Sequence, residues 1–164
     1  MKKIAIIGSG PTGIYTFYSL LNNAAPLSIT VFEKADQPGV GMPYSDEDNS
    51  RLMLANIASI EIPPIFITYL DWLKQQSAAH LARYNVDSEK LHDRQFLPRI
   101  LLGEYFHDRF LAVVAEAKKA GFHVEVHPNA EVTDIKADAD GVALSVNNAP
   151  FSRRFDLAVV ATGH

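Results

Sequence analysis

The chain opens on four consecutive apolar residues, Ile4 to Ile7, and then breaks into Gly-Ser-Gly-Pro-Thr-Gly. A short unbroken apolar run ended by glycine is the pattern of a strand buried on both faces. The period then changes. Ile14, Phe17, Tyr18 and Leu21 recur at i, i+3, i+4 and i+7, which predicts a helix from about Pro11 to Asn23. Pro11 suits its first turn, where a missing N–H costs nothing. Pro26 punctuates, and Leu27 to Glu33 reads as a second strand rich in β-branched residues, with Glu33 at its carboxyl end. Strand, glycine turn, helix and strand together make a βαβ unit.

The middle of the chain is less regular. Lys34 to Ser50 is a loop rich in glycine, proline and acids, followed by a short extended segment from Leu52 to Pro64 and a helix near Phe66 to Gln76. From Pro98 to Ala120 the spacing predicts a long helix that turns Leu102, Tyr105, Phe106, Phe110, Val113, Val114 and Ala117 inward, with Gly121 where a C-terminal cap belongs. Phe122 to His127, Glu131 to Ala137 and Val142 to Asn148 alternate around the turn Asp138-Ala139-Asp140-Gly141, which predicts three short strands with a hairpin or meander among them. Leu157 to Ala161 is again continuously apolar and ends at Thr162-Gly163-His164, the pattern of a second buried strand.

The glycines of the first turn have a chemical reading. The first N–H groups of a helix have no internal partner, and the helix dipole puts partial positive charge there, so an anion can sit on that end. Gly8 allows the tight exit from the strand, Gly10 leaves room for a pyrophosphate, and Gly13 lets the helix pack closely; Thr12 offers a hydroxyl. A GxGxxG alone is weak, but here a strand precedes it, a helix follows, and Glu33 stands 33 − 13 = 20 residues beyond the last glycine. That offset places a carboxylate where it accepts hydrogen bonds from ribose hydroxyls and repels a 2′-phosphate. An S-adenosylmethionine-dependent methyltransferase also carries an acid after its second strand, but has no pyrophosphate to cradle.

Composition narrows the chemistry further. The 164 residues are 48% hydrophobic, enough for a core in one domain, and the net charge of −4 comes with no basic run to suit nucleic acid. The apolar opening stops at Gly8, too short for a signal peptide, and no run approaches a membrane span, so the reading places the chain in the cytoplasm. Cysteine is absent, which removes disulfide, thiolate-metal and dithiol chemistry and leaves redox work to a bound cofactor.

The segments IAIIGSGPTG, VFEKADQPGVGMPY, LMLANIAS, FLPRILLGEYF and LAVVATGH, in this order, resemble the amino-terminal part of the FAD-NAD(P)-binding family. The resemblance covers essentially the whole chain. It implies an α/β fold, a Rossmann-like FAD-binding domain with a parallel sheet, a βαβ start and a small meander, holding FAD by its ADP half. Carried over residue by residue, Gly8, Ser9, Gly10, Pro11, Thr12 and Gly13 hold the pyrophosphate, and Glu33 with Lys34 the adenosine ribose end. Gly39, Gly41, Met42, Leu54 and Asn56 lie along the cofactor, Val132 brings its backbone to the adenine, and Thr162 and Gly163 make a second close approach. Two local features agree with that picture. Arg99 sits in the first turn of a helix, where its charge opposes the dipole, so it needs a partner: a phosphate or, equally, Asp93. Gly163 ends a buried strand, as at a topological switch point, although a plain strand-end turn fits too.

Family members run to several hundred residues. The expectation is therefore an amino-terminal portion, inactive alone, that lacks the NAD(P)H site and substrate pocket and partners with the remainder of its own larger chain. The leading reading is the FAD-binding portion of a monooxygenase-like or dehydrogenase-like flavin oxidoreductase. The alternative is an NAD(P)-binding or non-enzymatic dinucleotide-binding module. Other features have plainer readings. His123 and His127 share a strand face with Glu125 but stand ~13 Å apart at about 3.3 Å per residue, too far to share a metal, and read as surface residues. Asp46, Glu47 and Asp48 read as a solvated loop, and no residue offers itself as a catalytic acid, base or nucleophile.

Overall fold

A computed structural model describes residues 1–40, 54–55 and 57–162. The βαβ start is β1 (Lys3–Ile7), α1 (Pro11–Leu20) and β2 (Ser28–Phe32). Three helices follow, α2 (Tyr69–Lys74), α3 (Ala78–Ala82) and α4 (Arg99–Lys119), then β3 (His123–His127), β4 (Val132–Asp138), β5 (Gly141–Val146), β6 (Ala149–Pro150) and β7 (Leu157–Val160). A four-stranded sheet in the order β3-β2-β1-β7 is parallel throughout, and β4-β5-β6 form a separate antiparallel sheet.

The period-2 geometry of the strands sorts the core into two layers. Ile4 and Ile6 of β1 and Ile29 and Val31 of β2 face the helices, packing with Phe17 of α1 and Phe110 and Val113 of α4. Ala5, Ile7 and Phe32 face the other way, onto Val142, Leu144 and Phe155 of the meander region. Phe17 and Phe110 meet edge to face at 6.4 Å, both essentially out of water. Burying such a ring contributes about 1.5–3 kcal/mol.

Local chemistry sets the ends of the elements. α1 stops at Leu20, short of the predicted Asn23, because the amides of Leu21, Asn22 and Asn23 bond three residues back and tighten into a turn. α4 ends in a Schellman motif. Gly121 takes φ +88, its amide reaches the Lys118 carbonyl, and the Phe122 amide reaches that of Ala117. Val114 is only partly buried, whereas Ile100 and Leu101 join the core of α4. The helix predicted from Phe66 begins later, at Tyr69: Phe66 is left-handed at φ 65, and the Thr68 hydroxyl caps Asp71. α3, capped by Ser77, was not foreseen. Of the extended segment near Leu52, the described part pairs Leu54 with Pro98 and then makes a 3-10 turn at Ser59–Glu61.

His123–His127 belongs to the parallel sheet as its edge beside β2, and the meander is β4-β5-β6, closed by Asn147 and Asn148 at φ 51 and 65. Positive φ at both residues is what a tight two-residue hairpin turn requires. Among the described residues no helix is long and apolar enough to cross a membrane.

Candidate functional site: a cleft at the switch point of the sheet

The chain leaves β1 toward β2 and β3 on one side and returns to β7 on the other, so the carboxyl ends of β1 and β7 flank the point where strand order reverses. Parallel sheets open a crevice there. The ladder carries its bonds to that rim: the Gly8 amide donates to the Phe32 carbonyl at 2.8 Å, and the Ala161 amide to the Ile7 carbonyl at 2.8 Å. The result is an open cleft at the sheet's carboxyl end. Gly8, Ser9 and Gly10 line it from the first turn, Glu33 and Lys34 from the end of β2, Ala130, Glu131 and Val132 from the entry to the meander, and Thr162 from the end of β7.

Backbone geometry explains the glycines. Gly8 has φ +101, and a Cβ there would lie 2.4 Å from the Ala161 carbonyl oxygen. At Gly13 it would lie 2.1 Å from the carbonyl oxygen of Gly8. Any side chain at either position would push the turn off β7 or the helix off the turn. Gly10 is the N-cap of α1 in extended backbone, φ −72 and ψ −171, and no side chain caps that helix end. Pro11 follows it, so the amides of Thr12 and Gly13 are the first of the helix, with no intrahelical partner.

Glu33 is buried, at 8% exposure, and turns toward the glycine loop. Its Oε1 accepts from the Ser9 amide at 3.1 Å and the Ser9 hydroxyl at 2.7 Å, and its Oε2 from the Ala35 amide at 2.9 Å. A carboxylate has about four acceptor directions, so capacity remains for a hydroxyl donor from a ligand. An uncapped helix end beside a buried acid, with Ala130 and Val132 opposite, is a donor set and shape that fit a diphosphate, a ribose and a flat base.

The sequence-predicted residues divide accordingly. Gly8, Ser9, Gly10, Glu33, Lys34, Val132 and Thr162 come together in the cleft wall, and Pro11, Thr12 and Gly13 form the helix turn beside it. Gly39 does not line the cleft; it is buried against α4, and its amide donates to the Ser9 hydroxyl at 2.8 Å. Leu54 also stands apart from the wall. Arg99 Nε donates to the Leu54 carbonyl at 3.1 Å rather than pairing with Asp93. Gly41, Met42, Asn56 and Gly163, and the acids Asp46, Glu47 and Asp48, lie outside the described residues. Ala130 and Glu131 were missed, since they enter the wall only because the chain leaves the parallel sheet just before them.

His123, Glu125 and His127 lie at the surface, as expected, and form an ion-pair cluster there. Both histidines bond Glu125, at 3.2 Å each, and Arg153 pairs with the same carboxylate while reaching Thr30 Oγ1 at 3.3 Å. The guanidinium, followed by the two imidazoles, holds the Glu125 carboxyl down to about 2. Arg153 also lies over the Phe151 ring at 5.2 Å, so it fastens the approach to β7 onto the sheet edge. Among the described residues no group of side chains is arranged to hold a metal ion.

Comparison with known proteins gives the family and the fold. Over all 164 residues the chain is 62% identical to the uncharacterised protein YdhS of Escherichia coli strain K12, matching 100% of this chain and 31% of that one. The chain thus spans about a third of the length of this curated relative. Among solved structures it superposes on S-allyl-L-cysteine S-oxygenase from Allium sativum with a TM-score of 0.60 at 17% identity, covering 99% of this chain and 36% of the other. It superposes on ornithine hydroxylase from Pseudomonas aeruginosa with a TM-score of 0.51 at 18% identity, again over 99% and 36%. These likenesses establish the fold. Residues 5–164 match the family described as FAD-NAD(P)-binding, and the chain belongs to that family.

Proposed function

We propose that this chain is the FAD-binding portion of a flavin-dependent oxidoreductase of the monooxygenase or dehydrogenase kind. The observation that carries the reading is the cleft at the switch point, where an uncapped helix end lies beside a buried Glu33 that is hydrogen-bonded to the glycine loop. In this reading the amides after Gly10 take the diphosphate, Glu33 takes a ribose hydroxyl, and Val132 flanks the adenine. Thr162 closes the approach from β7. The family, described as FAD-NAD(P)-binding, supports a dinucleotide as the resident cofactor. FAD, once bound, supplies a reversible hydride and electron acceptor. The chain's own residues bind and orient it. We assign the NAD(P)H site and the substrate pocket to the part of longer relatives beyond the aligned third.

The test is a titration of the purified chain with FAD, followed by flavin fluorescence, with NAD as competitor. Saturable FAD binding that NAD does not reverse supports the reading, and loss of it in Gly10→Val ties it to this turn. Preference for NAD over FAD would favour a nicotinamide module, and binding of neither would overturn the assignment.

A further inference from the structure

We propose that Ser9 is a positioning residue that fixes how Glu33 meets the ribose of an adenine nucleotide, and that Gly39 acts on the site through it. The inference rests on the dinucleotide reading of the cleft. Ser9 and Glu33 are among the few buried polar residues, at 1% and 8% exposure. A buried carboxylate needs full hydrogen bonding, and here Ser9 supplies two of its three bonds.

The direction of the Ser9 hydroxyl proton follows from bond counting. A serine hydroxyl has one proton and two lone pairs. The Gly39 amide donates to Oγ at 2.8 Å and the Glu33 carboxylate can only accept, at 2.7 Å, so the proton is committed to Glu33. Gly39 is in turn fixed by α4. Its φ is +93, and a Cβ there would meet Phe110 Cβ at 2.9 Å and His107 Cα at 3.0 Å. His107 Nδ1 also bonds the Pro38 carbonyl. A chain of contacts therefore runs from α4 through Gly39 and Ser9 to Glu33. With Oε1 doubly occupied and Oε2 carrying the Ala35 amide, the carboxylate plane is set and the acceptor direction left over is on Oε2. A ribose hydroxyl is the donor that direction suits.

A serine that only satisfied buried neighbours would weaken every ligand alike, whereas a positioning serine affects only ligands with ribose hydroxyls. The probes are ADP, whose structure is common to FAD and NAD, and 2′,3′-dideoxy-ADP, measured by calorimetry on the whole chain. The wild-type chain should prefer ADP by about tenfold or more, the weight of one charged hydrogen bond. In Ser9→Ala the preference should fall to about threefold or less, with dideoxy-ADP binding nearly unchanged. Ser9→Cys keeps the shape without the strong donor and should give the same collapse; it carries the test if Ser9→Ala does not fold. Adding Ser9→Ala to Glu33→Gln should change the ratio no further. Equal weakening of both ligands, or an unchanged preference, overturns the positioning role while leaving the dinucleotide reading intact. A wild-type chain that binds ADP and dideoxy-ADP equally also overturns it, and one that binds neither overturns both.

Discussion

At the level of single residues, the three glycines of the first turn are separable by what a side chain would meet. Gly8 and Gly13 face backbone carbonyls at 2.4 and 2.1 Å, whereas Gly10 has φ −72, which any residue adopts. Gly13→Ala should therefore destabilise the fold by about 1–3 kcal/mol, seen as a lower urea midpoint at unchanged m-value. Gly10→Val should leave that midpoint nearly unmoved while abolishing FAD binding. If both variants lose stability equally, the division of roles is wrong. Glu33→Ala should weaken FAD by about 10- to 100-fold, since it removes a carboxylate acceptor. The roles of Gly8 and Gly13 were legible in the sequence because a GxGxxG between strand and helix fixes its own local geometry. Ser9 was legible only as a member of the motif. Its partners lie 24 and 30 residues away, and spacing carries no trace of a hydroxyl's direction.

Among the elements, β3 is where pattern alone leaves the pairing open. An edge strand of a parallel sheet buries one face and wets the other, so Val124 and Val126 alternate with His123, Glu125 and His127 as they would in a meander. Periodicity cannot separate the two; the pairing with β2 does. α1 and α4 were readable because their apolar positions repeat over several turns, while α2 and α3 depend on the Thr68 and Ser77 caps and are too short for a period to register. The charges on β3 also blunt the open edge against pairing with other chains. Their electrostatics give a pH prediction. Glu125 is lowered from 4.5 to about 2 in the folded chain, so its contribution is complete above the unfolded value and is lost as pH falls through the folded one. Urea midpoints should decline between pH 4.5 and about 2, and Arg153→Gln should flatten that decline. A decline of the same depth in the variant would show that the guanidinium is not its source.

Across the whole molecule, the opposite edge of the sheet is apolar. Leu157 and Val160 of β7 are 52% and 61% exposed, one on each face of the sheet, beside the largely buried β1. Such an edge invites pairing. The chain should self-associate as its concentration rises, and Val160→Lys should suppress this in sedimentation runs; identical profiles would mean that the edge is inert. The cleft lies at the carboxyl end of β7, and its location followed from strand order rather than from any one motif. The most direct test of the account is a map of backbone amide resonances during titration with FAD. The account predicts that the largest shifts fall on Gly8, Gly10, Thr12, Glu33 and Thr162, around one cleft at the carboxyl ends of β1, β2 and β7. Saturating shifts confined to another face, such as the outer strand β4, or no shifts at all, would contradict it.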